Sequence, residues 1–227
     1  MAIVLVSGFM ADETLWDDLV DPLADYGPVL PFALREGDTI ETMAEAIIPH
    51  LPERFHLVGF SMGGYVAREI VRRLPEQIES LILIATSARG DTEEMIRQRR
   101  SALKSPPERF KGLSRPAIQS SLHPAMRDDA DMLARVRDMG VALGGHVFHR
   151  QSSMARDGDL DRLSDITAPT LIIAADTDDL RSPAEAQELV GGITGASLVT
   201  IPNSGHMIPL EQPDALARVM TDWLETL

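Results

Sequence analysis

The chain contains no cysteine. That absence excludes disulfides, thiol nucleophiles and cysteine-ligated zinc, and it removes any sign of an oxidising compartment. Long apolar runs are also missing, since no stretch approaches the roughly 20 residues a membrane-spanning helix needs. The N-terminal run AIVLV has no basic leader and stops at Ser7-Gly8, so it reads as a first strand and not as a signal peptide; the cytoplasm is the expected location. Positive charge is scarce. Lys and Arg number 21 against 35 Asp and Glu, a net charge of -14 that repels phosphate backbones at long range and argues against nucleic acid as a partner.

What is present belongs to a globular protein. Apolar types make up 44% of the residues and charged types 25%, a composition able to bury a core. A length of 227 residues fits one layered domain. The charge is uneven along it. Residues 92–160 carry 12 bases against nine acids, whereas the remainder carries nine bases against 26 acids, which marks the middle as a distinct insertion.

Short, mostly apolar runs recur at residues 2–8, 55–60, 80–87, 169–176 and 196–202. Continuous apolar runs suit strands buried on both faces, and the segments between them, such as TIETMAEAIIPHL and GYVAREIVRRL, have helical periodicity. The alternation predicts an α/β fold, a mostly parallel sheet with helices on both faces. A last helix is expected to start near Pro213, a residue suited to a first turn. Residues 92–160 break the rhythm. TEEMIRQRRSALK and DDADMLARVRDMGVAL are helical in pattern and no strand is evident, so 92–160 is expected to be a helical lid inserted into a core of 1–91 and 161–227.

Within LVGFSMGGYV, Gly59-Phe60-Ser61-Met62-Gly63 matches G-x-S-x-G. Chance supplies that pattern in about one chain in fifteen of this size, given glycine and serine near 7% each. Position adds weight, because the match follows a strand-like run and opens a helix-like one, as a nucleophile elbow requires. The bland alternative is a tight turn with an inert serine. A serine nucleophile needs a base and a group to orient it. His206 lies on the loop between the last strand and the last helix, and Asp178 follows the run PTLIIAAD. The order Ser61, Asp178, His206 is the hydrolase order. Asp176 and Asp179 share the acid's loop and Asp91 follows another strand, so each remains an alternative acid; Asp176 is expected to end its strand.

GFSMGGYVAREI, LIIAADTDDLRSP and IPNSGHMIPLEQPDAL, with LVSGF at the start, resemble the α/β-hydrolase superfamily over essentially the whole chain. ATSARGDTEEMIRQRR is similar to a bacterial 3-oxoadipate enol-lactonase-like and carboxylesterase branch. The resemblance implies an oxyanion hole formed by the backbone N–H groups of Phe9 and Met62. Two positions depart from the pattern: Ser7-Gly8 replaces the frequent His-Gly, and Ala175 replaces a glycine. The implied chemistry is serine-dependent cleavage of a small-molecule carboxylic ester or lactone through an acyl-serine, with no metal and no organic cofactor, in a monomer or homodimer. Alternatives are acyl transfer, perhydrolysis or carbon–carbon hydrolysis on the same triad, or a non-catalytic ligand-binding homologue.

In the insertion, Met95, Met126, Met132, Met139 and Met154 suit an adaptable apolar pocket or simple packing. Arg97, Arg100, Arg150 and Arg156 either attract an acidic substrate or dock a cationic lid on an anionic body. Gln151, His149 and Arg150 are the candidate substrate-binding residues there.

Overall fold

The apolar runs become strands of one sheet. In the computed structural model, which describes residues 1–227 except the side chains at 101 and 102, the strands are β1 (Ala2–Val6), β2 (Val29–Phe32), β3 (Phe55–Phe60), β4 (Ile78–Ile84), β5 (Thr170–Ala175) and β6 (Ser197–Ile201). They lie in the order β2-β1-β3-β4-β5-β6, and every pairing is parallel. β2 is an addition to the five expected strands. Its sequence VLPF is only four residues long and half-buried throughout, with Pro31 in its middle. An edge strand tolerates that proline because one side of its backbone lacks a partner.

The helices are α1 (Asp17–Leu23), α2 (Ile40–Ile47), α3 (Met62–Arg73), α4 (Glu93–Ala102), α5 (Arg115–Gln119), α6 (Ala130–Ser153), α7 (Pro183–Gly192), α8 (Ile208–Glu211) and α9 (Pro213–Leu224). α2 begins with a reciprocal cap in which Thr39 and Thr42 each accept the other's backbone N–H. Alternate strand residues face opposite ways, so the sheet carries two apolar cores. On one side Ile3, Leu5, Val58 and Ile82 pack with Leu19 of α1 and Leu216 and Met220 of α9. On the other, Val4, Leu57 and Leu83 pack with Met43 of α2, Val66 and Ile70 of α3 and Leu189 of α7. Among the described residues, no helix is long and apolar enough to cross a membrane.

Between β4 and β5 the described elements are helical only, with α4, α5 and α6 supplying the bulk. α6 breaks at Gly144 (φ 81°, ψ 170°), a conformation that excludes most side chains. The two ends of this insertion are tied together: Asp91 N–H donates to Arg156 O and Asp159 N–H donates to Ala88 O, both at 2.9 Å. Each acid also takes two arginines. Asp91 accepts from Arg99 and Arg156, and Asp159 from Arg72 and from the fully buried Arg68 of α3, the latter through two bonds of 2.8 Å. Arg68 also lies 4.7 Å from the centre of the Tyr65 ring.

Burial alone would raise the Asp91 carboxyl, but the Arg99 and Arg156 donors hold it down at about 2. A depressed carboxyl stabilises the fold at pH values above its unfolded value of 3.8, and the contribution is lost as pH falls through about 2. Asp91→Asn should therefore lower stability at neutral pH by about 3 kcal/mol, since two guanidiniums lose their counter-charge. Urea melts at pH 7 and under acid check this, and the gap between wild type and variant should narrow in acid.

Candidate active site

β3 delivers Ser61 to the carboxyl edge of the sheet, where the chain turns into α3. Ser61 has φ 51° and ψ -114°, a strained conformation for a residue with a side chain. Neighbours hold it there. Ser61 N–H donates to Ile84 O at 2.9 Å, and the buried Thr86 hydroxyl donates to Ser61 O at 2.6 Å. The turn also requires bare backbone on either side. A Cβ on Gly59 would lie 2.6 Å from Gly63 O, and one on Gly63 would lie 2.5 Å from Ser7 O.

The loops after β5 and β6 bring the other two groups. His206 Nδ1 lies 2.7 Å from Asp178 Oδ2, and His206 Nε2 lies 2.9 Å from Ser61 Oγ. A carboxylate can only accept, so Nδ1 carries the hydrogen and Nε2 is left to accept the serine hydroxyl. Asp178 Oδ1 in turn accepts the Leu180 and Arg181 N–H groups at 2.7 and 3.0 Å. The carboxylate side chain is 2% exposed and the imidazole 7%, and the imidazole rests against Phe60 with ring centres 5.2 Å apart.

The other three acids are committed elsewhere. Asp176 accepts the Asn203 and Ser204 N–H groups at 3.0 and 3.2 Å, which ties the acid's loop to the histidine's loop. Asp179 pairs with Arg127, and Asp91 with Arg99 and Arg156.

Ser61, His206, Phe9 and Met62 all line one cavity of about 330 Å³. Met62 is the first residue of α3, so its N–H has no intrahelical acceptor. The Phe9 N–H has no acceptor among the described residues. The loop carrying Phe9 is fixed in place of the frequent His-Gly by Ser7, whose hydroxyl accepts the Trp16 indole N–H at 2.9 Å and donates to Asp12 O at 3.1 Å.

The three insertion candidates separate. Gln151 lines the cavity, but its amide serves the scaffold: Oε1 accepts Met10 N–H at 2.9 Å and Nε2 donates to Leu34 O at 2.7 Å. His149 lies outside that cavity, 2.8 Å from Ser105 O. Arg150 bonds Arg35 O and faces Asp38 at 3.4 Å, also away from Ser61. Their polar, helical pattern could not say which way they face. Met95 and Met139 do line the cavity, as do Arg99 and Arg156, whereas Arg97 is two-thirds exposed and paired with Glu94.

Glu211 went unnoticed in the sequence. Its buried carboxylate accepts the Gly205 N–H at 2.9 Å and the His123 N–H at 2.5 Å, so one side chain grips both the histidine loop and a loop of the insertion. Met207 N–H adds a bond to Ser121 O at 3.2 Å. Burial raises the Glu211 carboxyl above its ordinary range, against the pull of those donors. The available signal was a lone acid directly after the apolar run MIPL.

A family profile described as "Alpha/beta hydrolase family" matches residues 3–219. The chain belongs to that family. Among known proteins, the monoacylglycerol lipase abhd6-A of Xenopus laevis is 28% identical over 186 residues, 76% of this chain and 55% of that one, so the chain spans about half the length of this curated relative. A thermophilic esterase from Thermogutta terrifontis superposes with a TM-score of 0.86 at 26% identity, covering 100% of this chain and 90% of its own. The enol-lactonase of Burkholderia xenovorans LB400 gives the same TM-score of 0.86 at 22% identity, over 99% of this chain and 90% of that one, a likeness of fold.

Glu211→Ala would leave the Gly205 and His123 N–H groups without their acceptor. Each such loss costs about 1–3 kcal/mol, so the thermal midpoint should fall measurably. An unchanged midpoint would show that the two loops do not depend on this carboxylate.

Proposed function

We propose that this alpha/beta hydrolase cleaves a small carboxylic ester or lactone through an acyl-serine intermediate. The observation that carries the reading is the series of contacts from Ser61 Oγ to His206 Nε2 and from His206 Nδ1 to Asp178. In the reaction, His206 takes the Ser61 proton as Oγ attacks the carbonyl carbon. Asp178 keeps the imidazole in the correct tautomer and stabilises the charge it gains. The Phe9 and Met62 N–H groups receive the developing oxyanion. When the intermediate collapses, His206 returns the proton to the leaving alkoxide and Ser61 retains the acyl group. His206 then deprotonates a water, whose attack frees the carboxylic acid and restores the serine.

Each part of the cavity fits that sequence. Its lining is mostly apolar, with Met95, Met139, Leu113 and Val136 among the residues around the serine. Residues 92–160 serve as the lid of this site, on a core of 1–91 and 161–227, because α4, α5 and α6 contribute Met95, Ala117, Val136 and Met139 to the wall.

Ser61→Ala should abolish both p-nitrophenyl acetate turnover and labelling by a fluorophosphonate, while leaving the protein folded. Asp178→Asn should lower kcat by about three to four orders of magnitude, because an amide can favour the wrong tautomer. A folded wild type that neither labels at Ser61 nor turns over the ester would leave the binding-protein reading in its place. Ester turnover that survives His206→Ala would contradict His206 as the base.

A further inference from the structure

A second cavity of about 470 Å³ plays no part in the chemistry above. It adjoins the Ser61 cavity, since Phe9, Arg99, Leu113 and Ala117 line both. Phe110 and Phe148 form part of its wall, stacked with centroids 4.6 Å apart and planes at 22°. Phe9 sits at the junction, edge-on to Phe148 at 6.1 Å.

Its charge is one-sided. Arg99, Arg109 and Lys111 line it, and no Asp or Glu does among the described residues. Arg99 is committed to Asp91, which leaves Arg109 and Lys111. Neither has an ion-pair partner among the described residues, and the adjacent acid Glu108 faces His146 at 3.8 Å. Cations that dock the insertion on the anionic body look different: Arg135 reaches Asp18 at 2.8 Å and Arg127 reaches Asp179. In a chain of net charge -14, two cations without ion-pair partners beside an aromatic wall present charge and apolar surface complementary to a ligand with an apolar body and an anionic end.

We propose that this second chamber receives an arm of the substrate that ends in a carboxylate. The apolar stretch of the arm lies on Phe110 and Phe148, its anionic end meets Arg109 and Lys111, and the scissile carbonyl remains at Ser61. The proposal rests on the ester-hydrolase reading and narrows its substrates to esters with a distant second carboxylate.

The test uses two matched series of increasing arm length. Methyl monoesters of α,ω-dicarboxylic acids are compared with methyl esters of uncharged acids, and acetates of ω-hydroxycarboxylates with acetates of plain alcohols. In one series the charged-to-neutral ratio of kcat/KM should rise to about fivefold to tenfold once the arm spans the junction, the effect of one or two partly exposed ion pairs. That ratio should shrink in about 1 M salt and collapse towards one in the Arg109→Gln, Lys111→Gln double variant. Lys104→Gln, the same charge change outside both cavities, should keep it. Ratios at or below one in both series, or a preference that survives the double variant, overturn the proposal while neutral-ester turnover leaves the hydrolase reading standing. Calorimetry of Ser61→Ala protein with a dicarboxylate monoester and its neutral diester reads the chamber without turnover. Tighter binding of the monoester, lost in the double variant, supports a carboxylate site in the chamber even where the ester-hydrolase reading fails, and equal binding sinks the proposal.

Discussion

The site depends on how closely the first turn of α3 approaches the end of β1. A Cβ on Gly63 would come within 2.5 Å of Ser7 O, so the helix can pass there only because no side chain intervenes. That approach lets the chain reverse directly behind Ser61 and fixes the serine's backbone at φ 51°. The same approach sets Met62 beside the loop carrying Phe9, and both residues line the Ser61 cavity. Strain at the turn is offset by the bond from Ser61 N–H to Ile84 O, by the bond from the Thr86 hydroxyl to Ser61 O, and by the apolar packing of α3 beneath it.

Around this turn, charge does the work that apolar contact cannot. The insertion leaves and re-enters the sheet through polar segments, and its roots are closed by Asp91 and Asp159 with four arginines. Such pairs contribute little in water, and where they are mostly shielded from it the loss of one partner is costly because the other ion is left buried and unpaired. Arg68 illustrates this. It is fully buried on the elbow helix itself, and Asp159 at the far end of the insertion supplies its counter-charge. Helix and insertion are thereby coupled through an interaction whose partners lie 91 residues apart in the chain.

Much of this was legible in the sequence because it rests on periodicity and on backbone requirements. Continuous apolar runs gave five strands, proline placed the start of α9, and glycines flanking one serine signalled the elbow. The glycine motif at a strand-to-helix junction selected Ser61, and the loop before the last helix offered His206. Chain order favoured Asp178 but could not exclude Asp176 or Asp179, because one or two residues of displacement along a loop decide which carboxylate meets the imidazole. β2 escaped notice for a different reason: four half-buried residues with a central proline lack the length and apolarity by which strands are recognised. The roles of Gln151, His149 and Glu211 were hidden because they depend on which long-range backbone groups lie nearby, and nothing local encodes that.

The placement of Ser61 has an electrical side as well. As the N-cap of a 12-residue helix, it stands where the aligned peptide dipoles of α3 present their positive end. Negative charge placed beside Ser61 therefore meets the field of that helix end. The bend that strains the serine also aims this field, so relaxing the bend by mutation would weaken both at once.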